Sequence, residues 1–475
     1  MTTDGQRSGG FRAYFEPPVV LSMAFILFIL VRYMEWNHRL DIAKTIRLEF
    51  LIGIFMIGVA TMMVGSGQVK FGESRLVVFG AVALVLVIEM GVPFALNPVL
   101  AKDTAFNRGV KFAMLTYFTA TMVRSPKTMR WFIAAYIFSL FYLTQESFRG
   151  GLDGSMVWEN QGIPRLHGSV PSVNHPNSLG SAILGIVPFI IFIAPEIRRW
   201  WLKMALLGIT PMAAMVILWS GSRTAYVGFI ALLVLWFALS KHKKRLLVLM
   251  VVAGFVLIPL IPDDFMQRFE SITHSGTEGG DGSKHERMFL NRLAWETFLA
   301  NPMGIGVESF RNVSVAYLPY AMEVHCLYLQ ILCHVGVQGM IAFVFFVGAT
   351  MVTLFQARRA YLGQVAMLTR CVRRTRPPPA VRAAMGRHVR DMNFLVAVCN
   401  ATLVFLINRL LVGVFSQDLY EIYWWFGAGV AISMIEMRST AAARARALVA
   451  AAETAPQASD PADPLVAPGA VRAGA

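Results

Sequence analysis

Four arginines, one asparagine and one histidine in the middle of the chain have the types and the setting for chemistry on an anion. Arg165 stands in RLHGSVPSVNHPNSLG, where Gly168, Pro171 and Pro176 interrupt the backbone and Asn177 sits where a helix should begin. Arg223 stands in WSGSRTAYVGF, between two apolar runs parted by a few small residues, so its charge is held at a membrane boundary. Arg287 and Arg292 precede Asn301-Pro302-Met303-Gly304-Ile305-Gly306, whose glycines let backbone approach a neighbour closely. His325 opens a long apolar run that ends near Phe355. A guanidinium offers a planar, permanent charge that matches phosphate oxygens. An imidazole, with an ordinary pKa of about 6.5, can accept a proton at neutral pH.

Each residue also has a plainer role open to it. Asn177 and Ser178 are ordinary helix-capping types, and Arg165 can be a solvated loop charge. Arg223 can snorkel toward headgroups. Arg287 and Arg292 are five residues apart and cannot closely share a helical face, so at most one points into a site. A lone histidine is more often structural than catalytic. His325, Cys326, Cys333 and His334 can be read as metal ligands, since seven residues return to one helical face, but small apolar cysteines in a membrane helix is the favoured reading. No metal site and no cofactor is expected.

The elements that hold these residues follow from composition. With 475 residues, 56% of them hydrophobic and 15% charged, and a mean hydropathy of +0.57, the chain is neither a soluble multidomain protein nor a disordered one. It reads as an all-α polytopic integral membrane protein. The net charge of +15 raises nucleic acid as a partner, but short cytoplasmic loops of membrane proteins collect Lys and Arg, so no nucleic acid is expected. Cys326, Cys333, Cys371 and Cys399 form no regular extracellular framework. Mostly polar residues precede the first apolar run, which lacks a small-residue cleavage site and should be retained as a membrane helix.

Windows of the length needed to span a bilayer recur about twelve times. Loop charge then assigns sides. The stretch from Arg358 to Arg390 carries nine arginines and is placed in the cytoplasm, as part of a basic loop over 357–391. Counting helices outward puts Lys241 to Arg245, Arg198 to Lys203 and Arg124 to Arg130 on the same side, with both termini. Loops 146–177 and 262–322 fall outside, the second containing short helices. Against this, the loop from Glu35 to Arg47 falls outside yet carries Arg39, Lys44 and Arg47. Three regions result: a cytoplasmic N-terminal segment (1–17), a transmembrane domain (18–439), and an Ala/Pro-rich disordered cytoplasmic tail (440–475) that begins as an Ala/Arg stretch able to continue a helix. Ser275 to Ser283 reads as a Gly-rich mobile run and Arg292 to Ala300 as a short amphipathic helix ended by Asn301-Pro302. As one straight helix, the run from His325 to Phe355 would be about 46 Å long against a hydrocarbon core of about 30 Å. It must project, tilt, or break at Gly336 and Gly339.

RLHG followed by HPN, then SGSR, then Arg287 ahead of NPMGIG, then His325 followed by Leu329, Gly336 and Gly339 occur in that order. In these the chain resembles the O-antigen ligase and polymerase superfamily of bacterial envelope glycosyltransferases, over roughly Arg165 to Gly339. One departure is that the family commonly has His-Asn where this chain has His325-Cys326, which puts any role of that Asn in doubt. The resemblance implies transfer of a glycan from an undecaprenyl-diphosphate carrier to a sugar hydroxyl, on the periplasmic face of the bacterial inner membrane, without nucleotide sugar, metal or other cofactor. The acceptor would be a growing glycan or lipid A-core, and a flippase and chain-length regulator are compatible partners. His325 and Arg287 would be catalytic, and Arg223, Arg165, Arg292 and Asn177 would bind diphosphate or glycan. Alignment on the Asn-Pro element favours Arg287 over Arg292.

Two readings of other classes stay open. A transporter of anions would use the same arginines, and would place charge near the bilayer midplane, where Arg409 in LINRLLVG is the one candidate. A scaffold in an export complex would tolerate loss of His325 or Arg287. Arg409 and Asp418 could touch substrate or pair near one membrane boundary.

Overall fold

The computed structural model describes residues 14–160, 163–240, 243–257 and 282–454. Most of them are helical. Five helices among the described residues are long and apolar enough to cross a membrane: Leu48–Gly65, Pro176–Glu196, Trp200–Trp219, Leu327–Thr375 and Pro379–Phe415. Val19–Tyr33 and Arg223–Leu239 are shorter apolar helices. The protein is thus an integral membrane protein built of helices, with fewer full-length apolar spans among the described residues than the twelve expected. Arg75–Gly91 has 17 residues, at the lower limit for a span, and Lys111–Met122 continues without a break from Pro98–Thr104 and the π-helical Ala105–Val110. Pro126–Leu152 is long but carries Lys127, Arg130, Glu146 and Arg149.

The core is formed where Leu327–Thr375, Pro379–Val412 and Ile422–Thr454 pack together and against Arg75–Gly91 and Lys111–Met122. Trp424 and Trp425 are buried there, edge to face with Phe343 at 5.0 Å and tilted against Phe346 at 5.1 Å. Small residues allow the close approach that membrane helices depend on. A Cβ at Gly80 would lie 2.9 Å from Phe346 Cα, and one at Gly429 the same distance from Thr119 Cβ. Apolar side chains also cover the outside: Phe50, Leu51, Ile54 and Met62 of Leu48–Gly65 are exposed, as a helix facing lipid requires.

Several expected boundaries move. The loop expected over 146–177 contains strands: Val157–Asn160 and Ile163–Leu166 form an antiparallel hairpin, with Trp158 opposite Arg165. Strands of four residues carry too short a period to read from sequence. The expected basic loop 357–391 is mostly helix, because Leu327–Thr375 and Pro379–Val412 both run into it and only Arg376 to Pro378 part them. Arginine is a good helix former, and Pro377 and Pro378 supply the stop. The Ala/Arg stretch after Thr440 continues the last helix to Thr454, and 455–475 lie outside the described residues. So do 1–13 at the other end, and nearly all of the Gly-rich run from Ser275 to Ser283. The amphipathic helix expected from Arg292 begins earlier, spanning Gly282–Ala300.

The long run from His325 does break, and at Gly336, whose φ of 69° and ψ of −166° are not helical. The helix starts at Leu327, so His325 precedes it rather than opening it, with Cys326 as its N-cap residue.

Candidate functional site

The hairpin, the His175–Asn177 corner and the turn at Ser220 to Arg223 meet through one side chain. Arg165, 2% exposed, donates from Nε to the Ser220 carbonyl at 2.9 Å and from Nη2 to Asn177 Oδ1 at 2.6 Å. The Ser220 carbonyl lies at the end of Trp200–Trp219, where helix carbonyls lack partners and the macrodipole favours a cation. Arg165 is therefore a helix cap contributed from 55 residues away. The turn itself is compact: Gly221 takes φ +58°, and Ser222 Oγ accepts from Ala225 N to start Arg223–Leu239. Arg223, half-buried, is the first residue of that helix. Gly180 lets the neighbouring helix close on the turn, since a Cβ there would lie 2.8 Å from Ser220 Oγ.

Asn177 is not the cap of its own helix. That role falls to His175, whose Nδ1 accepts from Asn177 N at 3.1 Å, and this leaves the Asn177 amide oxygen for Arg165. Burial, with the charges of Arg165 and Arg287, holds the His175 imidazole below its ordinary pKa.

His325 and Arg287 come to the same place. Burial first, then the positive charge of Arg287, push the His325 imidazole down to about 4; His175 adds to this and Glu323 opposes it. At neutral pH His325 is neutral. Arg292, on the same Gly282–Ala300 helix, points elsewhere: it is solvent-exposed and pairs with Glu296 at 2.9 Å, one turn along. The structure thus brings Arg165, His175, Asn177, Arg287 and His325 together, with Arg223 on the turn that Arg165 caps, and leaves Arg292 outside.

Behind His325 the break at Gly336 is repaired by the Asn301 to Gly306 turn. Ile305 N donates to the Cys333 carbonyl at 2.8 Å, Gly306 N to the His334 carbonyl at 3.0 Å, and Val337 N to the Pro302 carbonyl at 3.0 Å. The carbonyls and amide freed by the break are thereby satisfied, as they must be inside a membrane. A Cβ on Gly304 would lie 2.6 Å from the His334 oxygen, and one on Gly336 2.4 Å from Met303 C, so the glycines are required for the fit.

Sequence reasoning missed a second, buried polar chain next to the first. His334, fully buried, lies 3.0 Å from Tyr420 Oη through Nδ1 and 3.1 Å from Glu323 Oε1 through Nε2. Arg311 Nε approaches Glu323 at 3.7 Å and Glu308 at 3.3 Å. Burial acts to raise the Glu323 carboxyl, but His334 and Arg311 hold it below the ordinary range, so it is ionised. The signal in sequence was Glu323 two residues ahead of His325; nothing local points to Tyr420. Arg409 is also committed to structure, with its guanidinium on Ser181 and 3.6 Å over the Tyr423 ring. Asp418 is buried and its carboxyl is raised by that burial. All four cysteines are buried free thiols.

No curated protein matches the chain. Residues 209–344 match the family model described as O-antigen ligase, a segment that holds Arg223, Arg287, the Asn301 to Gly306 turn and His325. That segment is similar to O-antigen ligases, and the chain around it has apolar helices long enough to cross a membrane.

Proposed function

We propose that the protein moves a glycan from an undecaprenyl-diphosphate carrier to a sugar hydroxyl of an acceptor, on the periplasmic face of the inner membrane, as a surface-polysaccharide polymerase or an O-antigen ligase. The observation that carries this reading is the position of Arg287, near enough to both His325 and His175 for its charge to act on each. A neutral imidazole beside a fixed cation suits a reaction in which a hydroxyl loses a proton while a diphosphate leaves.

In this reading the acceptor oxygen attacks the anomeric carbon of the first donor sugar, and the bond from that carbon to the diphosphate oxygen breaks. His325 takes the hydroxyl proton as general base. Arg287 and Arg223 hold the charge that develops on the departing lipid diphosphate, and no metal is needed for that role. Arg165 and Asn177, locked to each other, set the shape of the donor side. A diphosphate bound near His325 offsets the charge of Arg287 and raises the imidazole's basicity, so the base strengthens only when the donor is in place. Arg292, exposed and paired with Glu296, has no part in this scheme.

The test is an assay with purified protein, lipid-diphosphate-linked glycan and candidate acceptors, with products separated by size. A ladder on the carrier lipid marks a polymerase, and transfer to a distinct acceptor marks a ligase. His325→Ala should abolish either product while the protein still inserts and elutes as wild type. A His325→Ala protein with substantial transfer would remove the residue from the mechanism.

A further inference from the structure

A groove lies beside the opposite end of the Pro126–Leu152 helix from this site. The Pro126–Leu152 helix has 27 residues and so is about 40 Å long. Phe148, near its end, stacks on Trp219 and marks the end where Arg165 sits; Arg130, near its start, borders a groove of about 820 Å³. Trp200–Trp219 runs alongside in the same direction, so Ile137, Phe141, Leu206 and Ile209 line the deeper part of the groove and Arg198 lies at its mouth. The mouth also has Arg387, Arg390 and Asp391 of Pro379–Val412 and Arg444 of Ile422–Thr454.

The charges at the mouth do not balance. Five arginines face two carboxylates, Glu196 and Asp391. Asp391 is taken by Arg130 at 2.6 Å. Among the described residues, Arg198, Arg387, Arg390 and Arg444 have no carboxylate within ion-pair distance. The depth of this mouth is marked independently. Trp131 and Trp200, each next to a lining arginine or a residue away from one, are 62% and 75% exposed, the placing expected of aromatic residues at a bilayer surface.

An occupant must therefore be apolar below and anionic at headgroup depth. We propose that the groove is a specific binding site for one anionic phospholipid of the bilayer, with its phosphate between Arg387, Arg390 and Arg444 and its acyl chains along Ile137, Phe141, Leu206 and Ile209. Basic pockets between membrane helices have this composition because each cation adds attraction for an anionic headgroup where water is scarce. Bound there, the lipid ties Pro126–Leu152 and Trp200–Trp219 to the last two long helices at the end away from the candidate site.

The experiment is native mass spectrometry of the full-length protein in detergent, titrated with dioleoyl phosphatidylglycerol and, separately, dioleoyl phosphatidylcholine. The proposal expects one phosphatidylglycerol retained at least about tenfold more tightly than phosphatidylcholine. Arg387→Gln/Arg444→Gln should lose that preference while retaining phosphatidylcholine as wild type does. Should the double variant fail to fold, the exposed single changes Arg387→Gln and Arg390→Gln take its place, each with a smaller loss in the same direction. Equal retention of the two lipids, an unchanged preference in the variants, or retention of undecaprenyl phosphate ahead of phosphatidylglycerol each overturns the proposal.

Discussion

Arg165 Nη2 lies 2.6 Å from the Oδ1 of Asn177, joining a strand of the hairpin to the first turn of a membrane helix. The same guanidinium reaches the Ser220 carbonyl. Removing it leaves a half-buried amide oxygen and a helix end without this donor. Arg165→Ala should destabilise the protein by roughly 2 to 4 kcal/mol, and Arg165→Lys by less, since an ammonium can keep one of the two bonds. Thermal unfolding in detergent checks both; equal melting of Arg165→Ala and wild type would mean the clamp contributes nothing.

The two arginines of Gly282–Ala300 should separate cleanly by kinetics. The kcat/KM profile reports the free enzyme, and with His325 as the proposed general base its acid limb should fall near pH 4. Arg287 is one cause of that low value, and Arg287→Gln should move the limb up toward the ordinary imidazole value of about 6.5, besides lowering the plateau. Arg292→Ala should leave the limb in place and the plateau within about twofold, because an exposed i,i+4 pair is worth only about 0.3 to 0.5 kcal/mol. A limb that stays put in Arg287→Gln would uncouple the two residues.

Glu323 and His334 form a buried pair whose members depend on each other. Loss of one partner leaves the other's charge or dipole unmatched, and Glu323→Ala should cost about 3 kcal/mol or more. His334→Phe combined with Glu323→Leu should cost less than the sum of the single changes. The double-mutant cycle on unfolding free energies measures that difference; strict additivity would deny the pair.

Two glycines on one helix offer a matched comparison. Gly336→Ala places a side chain at φ +69° and 2.4 Å from Met303 C, so it should destabilise by several kcal/mol or prevent insertion. At Gly348 an added Cβ meets nothing within 4 Å, and Gly348→Ala should be neutral or slightly stabilising by helix propensity. The readout is yield and melting temperature of the two variants side by side.

The order of the motifs was legible because each sits at a break in an apolar run, where Gly, Pro or a charge interrupts the pattern. Arg223 at a turn, His325 ahead of a helix that must break, and the glycines at 304, 306 and 336 are of this kind. What was not legible depends on distant partners. The burial of Arg165 needs the Ser220 carbonyl, and the use of His334 needs Tyr420, 86 residues on. The hairpin was hidden by its length. The arginines of 357–391 misled in the opposite way, since their charge reads as loop although their helix propensity lets two long helices continue through them.

The turn from Asn301 to Gly306 lends its amides to a ladder that belongs to another part of the chain. The turn and the membrane helix are consequently a single folding unit, although they are far apart in sequence. A chimaera that exchanges the segment holding this turn with a relative's while keeping residues 333–337 would carry half of a hydrogen-bond set and lack the other half. Any exchange of this region between relatives therefore requires that the turn and the broken helix be transplanted as a pair.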